Sequence, residues 1–163
     1  MSRGGADLAL LLLGGFRFMA EEATDRLAAR GYPGVRPAHD FALRAVAAGA
    51  DSVSEVGRRT SVSKQAAAKT VSFLEESGYV RRSPDAGNAR RAHLAVTDRG
   101  RSLMREGEAV FDELRAQWES QVGSDRISDL QDALLRLLGS DDATLGGWAG
   151  ADEHPSAIRA AST

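Results

Sequence analysis

Length, composition and charge already restrict what this chain can be. Its 163 residues fit one compact domain with short extensions, which excludes a two-domain enzyme. Hydrophobic residues make up 42% and charged residues 27%, so a chain disordered throughout is excluded as well. Cysteine is absent, which excludes disulfides, thiolate zinc sites, cysteine nucleophiles and thiol redox sensing. The net charge of -2 gives the chain as a whole no general affinity for a polyanion.

An apolar run near the N-terminus, residues 8–13, has some likeness to the centre of a signal peptide. Asp7 precedes this run and Arg17 follows it, whereas a signal peptide has a basic lead and a small-residue cleavage site. The run is also far shorter than the ~20 apolar residues that cross a bilayer. We therefore expect a cytoplasmic protein with no membrane association.

The first half of the chain predicts four helices. Apolar residues recur every three or four positions from residue 7 to residue 30, which is typical of a long amphipathic helix. A second helix is predicted at 37–49, a third at 55–59 and a fourth that ends at Gly78. The third and fourth helices each have two candidate capping serines, which are Ser52 or Ser54 and Ser61 or Ser63.

The pattern changes after the fourth helix. Two short strand-like runs, 79–82 and 93–96, flank a stretch with proline, glycine and asparagine at 83–91, which predicts a hairpin with a long loop. A fifth helix is predicted after the cap Thr97, and a sixth ends at Gly139. Residues 140–163 have little periodicity, so we expect a flexible tail there.

A short helix, a turn, a second helix and then a hairpin is the order of a winged helix-turn-helix, which binds nucleic acid. The charge distribution also favours a winged helix-turn-helix. Residues 58–91 carry eight positive and three negative side chains, a net of +5, which leaves -7 for the rest of the chain. The two lysines of the chain, Lys64 and Lys69, both lie on the fourth helix, which would be the reader helix. An ordinary solvated basic face is the alternative interpretation of these charges.

Four segments of this region resemble the MarR family of winged helix-turn-helix transcriptional regulators: 63–71, 74–82, 85–91 and 96–100. The wing signature of the family is Asp, any residue, Arg, five residues, Leu-Thr, two residues and Gly. Here it reads Asn88-Ala-Arg90, five residues, Val96-Thr97, two residues and Gly100. Val96 is a mild apolar change, whereas Asn88 lacks a charge that braces the wing arginine in the family.

The resemblance implies a mainly α fold with a small two- to three-stranded wing. It implies a single MarR-like domain at 7–139, with the winged helix-turn-helix at about 37–96 and dimerisation helices at about 7–30 and 98–139. It also implies a homodimer that binds double-stranded DNA at a pseudo-palindromic operator, with half-sites about one helical turn apart. The expected action is repression by occlusion, with release by a small aromatic or phenolic ligand.

The expected DNA contacts divide into those that read bases and those that bind phosphate. Base reading is assigned to the exposed face of the reader helix and to the wing, where a guanidinium suits a narrow, A·T-rich minor groove. The reader-helix residues are Ser63, Lys64, Gln65, Ala66 and Lys69, and the wing residues are Arg90 and Arg91. The phosphate-binding candidates are Thr60, Ser61, Arg81 and Arg82, of which Arg81 and Arg82 have Glu75 and Glu76 as alternative partners.

An effector pocket between the DNA-binding module and the dimer helices is expected from the resemblance. Its candidate wall residues are Phe16, Met19, His39 and Phe41. Aromatic residues at helical spacing are more often part of the core, and His39, near a helix start, is more often a capping or packing residue.

Other functions have weaker support from the sequence. Residues 61–64 match the Ser-x-x-Lys of penicillin-binding enzymes, but the companion motifs Ser-Asp-Asn and Lys-Thr-Gly are missing and the chain is too short for that fold. Three scattered histidines have no metal-ligand spacing. We therefore predict no catalytic residues, no metal and no cofactor. A winged helix that binds a protein instead of DNA is the remaining alternative.

Overall fold

The computed structural model of the protein describes residues 4–85 and 88–138, with side chains described outside 85–91. It confirms the predicted order of four helices, a hairpin and two helices. The elements are α1 Gly5–Ala29, α2 Pro37–Ala47, α3 Val53–Arg59, α4 Lys64–Glu76, β1 Val80–Asp85, β2 Asn88–Val96, α5 Asp98–Val122 and α6 Ser124–Leu138. The predicted flexible tail at 140–163 lies outside the described residues.

The starts of α3, α4 and α5 are defined by side-chain caps. Ser52 caps α3 and Ser63 caps α4, because their hydroxyls accept hydrogen bonds from backbone N–H groups in the first turn, 3.3 and 3.1 Å away. Thr97 caps α5 in the same way, with Gly100 as the donor at 3.0 Å. Ser61 instead lies in the turn between α3 and α4 with a left-handed backbone, φ 53°.

The hairpin is longer than the sequence predicts. Residues 83–91 were expected as a loop, but β1 and β2 form antiparallel pairs at Ser83 with His93 and at Pro84 with Ala92. The prediction of a long loop is therefore wrong. Proline is tolerated in this two-stranded sheet because both strands are edge strands, so the absent N–H need not break a ladder bond.

The core lies where α2, α4, the base of the hairpin and α5 meet. The largest side chains that are fully buried there include Leu43, Leu74, Tyr79, Leu103 and Leu114. The second half of α1 closes one side of this core through Ala23 and Leu27. The winged helix-turn-helix therefore shares one continuous core with part of α1 and α5.

Gly100 explains the last position of the wing signature. A Cβ at this position would overlap the carbonyl oxygen of Tyr79 and would lie 2.8 Å from a methyl group of Val96. The first turn of α5 can pass this close to the hairpin base because residue 100 has no side chain.

Large apolar side chains on α1 and α6 remain exposed in the single chain. Residues 8–18 of α1 expose five leucines and two phenylalanines, and the only buried residue of α6 is Ile127. Leu137, near the end of α6, is 77% exposed. Phe18 meets Trp118 of α5, with ring centroids 6.1 Å apart, whereas the leucines of both stripes remain largely exposed to solvent in the single chain. No helix in the described ranges has the length and apolarity needed to span a membrane.

Candidate nucleic-acid interface

The reader helix α4 has one buried face and one exposed face. Ala67, Val71 and Leu74 are buried, and Thr70 is half-buried. The opposite face exposes all five predicted base-reading residues of this helix, Ser63, Lys64, Gln65, Ala66 and Lys69, together with Ser72. This face presents two cations, an amide, two hydroxyls and a methyl group, which are groups that recognise base edges and phosphates in a major groove.

Close packing of α3 against α4 sets the direction of this face. A Cβ on Gly57 would lie 3.2 Å from the Cβ of Ala67 and 3.2 Å from the carbonyl oxygen of Val62. Two small residues therefore allow the helices to approach closely. In the turn between them, the Thr60 hydroxyl donates to the Val56 carbonyl at 2.8 Å and the Ser61 N–H donates to the Arg58 carbonyl at 3.4 Å. Ser61 is exposed.

The cations of α3 are held by an acid on the same helix. Glu55 binds Arg58 at 2.6 Å and Arg59 at 2.8 Å. The hydrogen bond from Arg58, followed by that from Arg59, lowers the pKa of Glu55 to about 2. Arg59 also donates to the carbonyl oxygen of Ala48, so its guanidinium is directed back into the module.

At the base of the wing, Arg82 and Arg81 differ in their contacts. Arg82 donates to Glu75 at 2.8 Å, which is one of the two roles the sequence left open, whereas Arg81 is exposed. Arg90 and Arg91 lie in β2, close to the hairpin turn, and their side chains are outside the described part of the chain.

The four predicted effector-pocket residues occupy different environments. Phe41 lines a cavity of about 60 Å³ between α2, α3 and α4, with Ala42, Val56 and Thr70 among its other walls. Met19 packs against the core, and Phe16 is 53% exposed on α1. Phe41 is the one of the four that lines this cavity, so the structure does not gather them around it.

His39 has a capping and packing role. Its Nδ1 accepts a hydrogen bond from the Arg36 N–H at 2.9 Å, and its ring stacks on Phe73 of α4 with centroids 4.0 Å apart. Burial, and secondarily the positive charge of Arg36, lowers the pKa of His39. The ring therefore connects the start of α2 to the reader helix in its neutral form.

Asp40 and Arg44 form an ion pair on α2 that was not among the sequence predictions, with Asp40 buried and Arg44 half-buried. Arg44 Nε lies 2.8 Å from Asp40 Oδ2. The four-residue spacing of an acid and an arginine on a helix was the available signal. It could not show that the acid faces the core, because that depends on the packing of α5.

A helix-turn-helix with a polar, cationic second helix, followed at once by a hairpin, defines a winged helix-turn-helix protein. The MarR family model matches residues 34–91, from the loop before α2 into β2. The predicted resemblance to the MarR family of transcriptional regulators is thereby confirmed. No curated protein matches the chain in sequence.

Solved structures share the fold, and two of the three described next are of MarR family proteins. A transcriptional regulator from Rhodococcus sp. RHA1 has a TM-score of 0.66 and 20% identity, covering 83% of this chain and 96% of that one. Rv2887 of Mycobacterium tuberculosis, in complex with p-aminosalicylic acid, has a TM-score of 0.64 and 24% identity, covering 82% and 98%. CouR of Rhodococcus jostii RHA1, bound to p-coumaroyl-CoA, has a TM-score of 0.63 and 20% identity, covering 83% and 95%.

Proposed function

We propose that this protein is a sequence-specific transcriptional repressor that binds a pseudo-palindromic operator as a homodimer. The observation that carries the proposal is the exposed face of α4, which projects two lysines, an amide and a methyl group from a packed helix-turn-helix. Gln65 suits an adenine edge and Ala66 suits a thymine methyl, while Lys64 and Lys69 suit guanine or phosphate. In this proposal the protein has no catalytic role.

The unpartnered apolar surfaces support the homodimer. Leu8, Leu11 and Leu12 of α1 and Leu137 and Leu138 of α6 are all between 45% and 77% exposed in the single chain. An exposed apolar surface of this extent is typical of an interface between subunits. We propose that residues 7–139 form one MarR-like domain, in which α1, α5 and α6 build the dimer and the winged helix-turn-helix binds DNA.

The wing and the turn supply the remaining DNA contacts in this proposal. Arg90 enters the minor groove with Arg91 beside it, and Thr60, Ser61 and Arg81 bind phosphates. Arg82 joins them when DNA competes with Glu75 for its guanidinium. Salt weakens both the ion pair with Glu75 and the contact with phosphate, because it screens exposed charges in each.

A small aromatic or phenolic ligand is proposed to release the repressor from DNA. Two proteins of the same fold were solved with p-aminosalicylic acid and with p-coumaroyl-CoA. In this chain Phe41 and His39 offer apolar and aromatic surface next to the reader helix, through the cavity and through Phe73. A ligand there acts by shifting the position of α4 relative to the rest of the chain.

Fluorescence anisotropy tests the proposal with duplex DNA from upstream of the protein's own coding region. We expect affinity to fall steeply as salt rises, because each phosphate neutralised by a cation releases counterions. Lys69→Ala should weaken binding and flatten the salt dependence, and Arg90→Ala should weaken binding through the wing. Arg105→Ala is the matched control, since it removes one exposed positive charge from α5 instead of α4.

Two outcomes of this experiment would contradict the proposal. Equal effects of Lys69→Ala and Arg105→Ala would show that net charge alone drives binding, and the assignment of α4 as reader would be wrong. An absence of binding at low salt, on both this duplex and random DNA, would contradict DNA recognition altogether. The winged helix would then be better explained as a protein-interaction module.

A further inference from the structure

The junction between α2 and α5 contains a buried, directional contact. Asp40 of α2 is 1% exposed, and Arg44, one turn later, donates from Nε to its Oδ2 at 2.8 Å. The same guanidinium donates from Nη2 to the backbone carbonyl oxygen of Met104 on α5, at 3.2 Å. One arginine therefore connects a carboxylate of the DNA-binding module to the backbone of a helix outside that module.

The other carboxylate oxygen fixes how close the two helices come. A Cβ at Gly107 of α5 would lie 3.0 Å from Asp40 Oδ1, so the glycine makes room for the carboxylate. Oδ1 itself has no hydrogen-bond donor within the described residues. Leu103 and Val110, one turn before and after Gly107, are fully buried on the same face.

Stability alone does not explain an ion pair at this position. Desolvation makes a buried pair expensive, and apolar residues of similar volume often replace such a pair without loss of stability. Burial raises the pKa of Asp40, the hydrogen bond from Arg44 opposes that rise, and the charge of Glu108 adds to it. A hydrogen-bonded pair has a fixed direction, whereas apolar side chains pack in several arrangements of similar energy.

We propose that Asp40 and Arg44 are positioning residues, which hold the winged helix-turn-helix in one orientation on α5. The two elements also meet at Gly100, at the start of α5, and Gly107 lies two turns further along the same face. These two contacts lie at separate points along the core that α5 shares with the winged helix-turn-helix, and each adds a directional restraint to the apolar packing between them. In a dimer built through α5, this orientation sets the separation of the two reader helices. That last consequence rests on the proposed function.

Spin labels measure the orientation directly, without DNA. Because the chain has no cysteine, Ala68→Cys on α4 and Ala116→Cys on α5 introduce two unique and exposed labelling sites. Labelled protein is mixed with an excess of unlabelled protein, so that distances within one chain dominate. Double electron–electron resonance then gives the distribution of distances between α4 and α5.

The deciding variant is Asp40→Leu combined with Arg44→Met, which replaces the pair by apolar side chains. We expect it to fold and to melt near the unmodified protein, but with a broader or shifted α4–α5 distance distribution. Arg115→Met is the matched control, because Arg115 binds Glu119 at 3.0 Å within α5 and has no ion pair to a second element among the described residues. An unchanged distribution in the folded double variant would overturn the proposal.

A conservative variant covers the case in which the double variant does not fold. Arg44→Lys keeps the charge but cannot bind Asp40 and the Met104 carbonyl with one planar group, because an ammonium lacks the guanidinium fork. We expect a broader distribution here too. A distribution as narrow as that of the unmodified protein would contradict the proposal.

A DNA measurement tests the functional consequence separately. Duplexes that carry the bound upstream sequence are shortened or lengthened by one or two base pairs between the half-sites. The unmodified protein should prefer one spacing, and the folded pair variant should bind that spacing about tenfold more weakly and tolerate the others better. If the unmodified protein binds no DNA, the proposed function fails, while the spin-label distances still decide the role of Asp40 and Arg44.

Discussion

At the scale of single residues, His39 shows how one ring nitrogen serves a helix start. Its Nδ1 is the acceptor for the Arg36 N–H, so a proton bound there removes the cap. The resulting positive charge would also lie at the N-terminus of α2, where the helix dipole disfavours it. The same ring stacks on Phe73 of α4, so the cap and the reader helix share a contact.

This arrangement predicts a specific pH dependence of stability. The folded protein holds the pKa of His39 below its ordinary value of 6.5, so the unfolded chain binds more protons as the pH falls through 6.5. The associated stability is present above that pH and is lost below it. Glutamine at position 39 can accept the same hydrogen bond without titrating. In urea unfolding, His39→Gln should lose less stability between about pH 7.5 and pH 5 than the unmodified protein. Parallel losses would contradict this role.

Gly100 gives a second prediction at this scale. An alanine here must displace the Tyr79 carbonyl or Val96, because its Cβ has no space. We expect Gly100→Ala to lower the free energy of unfolding by about 1–3 kcal/mol, as overpacking does elsewhere. Gly14→Ala is the control, since a Cβ at Gly14 has open space and alanine favours helix. Equal effects of the two substitutions on urea unfolding would show that the contact with Tyr79 is unimportant.

At the scale of an element, substitutions at the start of α4 can distinguish an effect on folding from an effect on DNA binding. Ser63 caps this helix and also belongs to the proposed reading face. Ser63→Ala should cost about 1 kcal/mol of stability through the lost cap. Ser63→Asp keeps a capping oxygen but adds a negative charge beside DNA phosphates, so stability should persist while DNA affinity falls. Thermal melting and anisotropy measure the two effects, and equal affinity of Ser63→Asp and the unmodified protein would place Ser63 away from the DNA.

The elements also show what sequence can predict for this chain. The caps Ser63 and Thr97 and the glycine stop at Gly78 depend on local backbone chemistry, so they were predictable. The extent of the hairpin was not predictable. Backbone hydrogen bonds pair the strands at Pro84 and Ala92, and this pairing needs no alternation of apolar residues that the sequence would show.

The same distinction between local pattern and packing applies to the residues of the candidate site. The exposed and buried faces of α4 follow from helical periodicity, and Gln65 and Lys69 lie on the exposed face as that periodicity predicts. The surroundings of Phe16, His39 and Phe41 depend on how α1, α2 and α4 pack, which helical spacing does not encode. The face to which Asp40 points depends likewise on Gly107, 67 positions later in the chain.

At the scale of the whole molecule, the exposed leucines of α1 predict how the protein assembles. Leu12 is 45% exposed and lies in the half of α1 that does not contact the core. A charge at this position should disfavour burial in a subunit interface while leaving the fold of the single chain intact. We therefore expect Leu12→Glu to sediment as a monomer with native circular dichroism. Ala28→Glu, on the exposed end of the same helix, should remain a dimer. A dimeric Leu12→Glu variant would contradict the proposed interface.

The apolar half of α1 has a consequence for gene dosage. If each DNA-binding unit requires two chains, the concentration of that unit grows as the square of the chain concentration while most chains are single. Operator occupancy then responds more steeply than the number of copies in the cell. In the proposed homodimer, while most chains are single and the operator is far from saturated, halving the chain concentration would lower operator occupancy about fourfold.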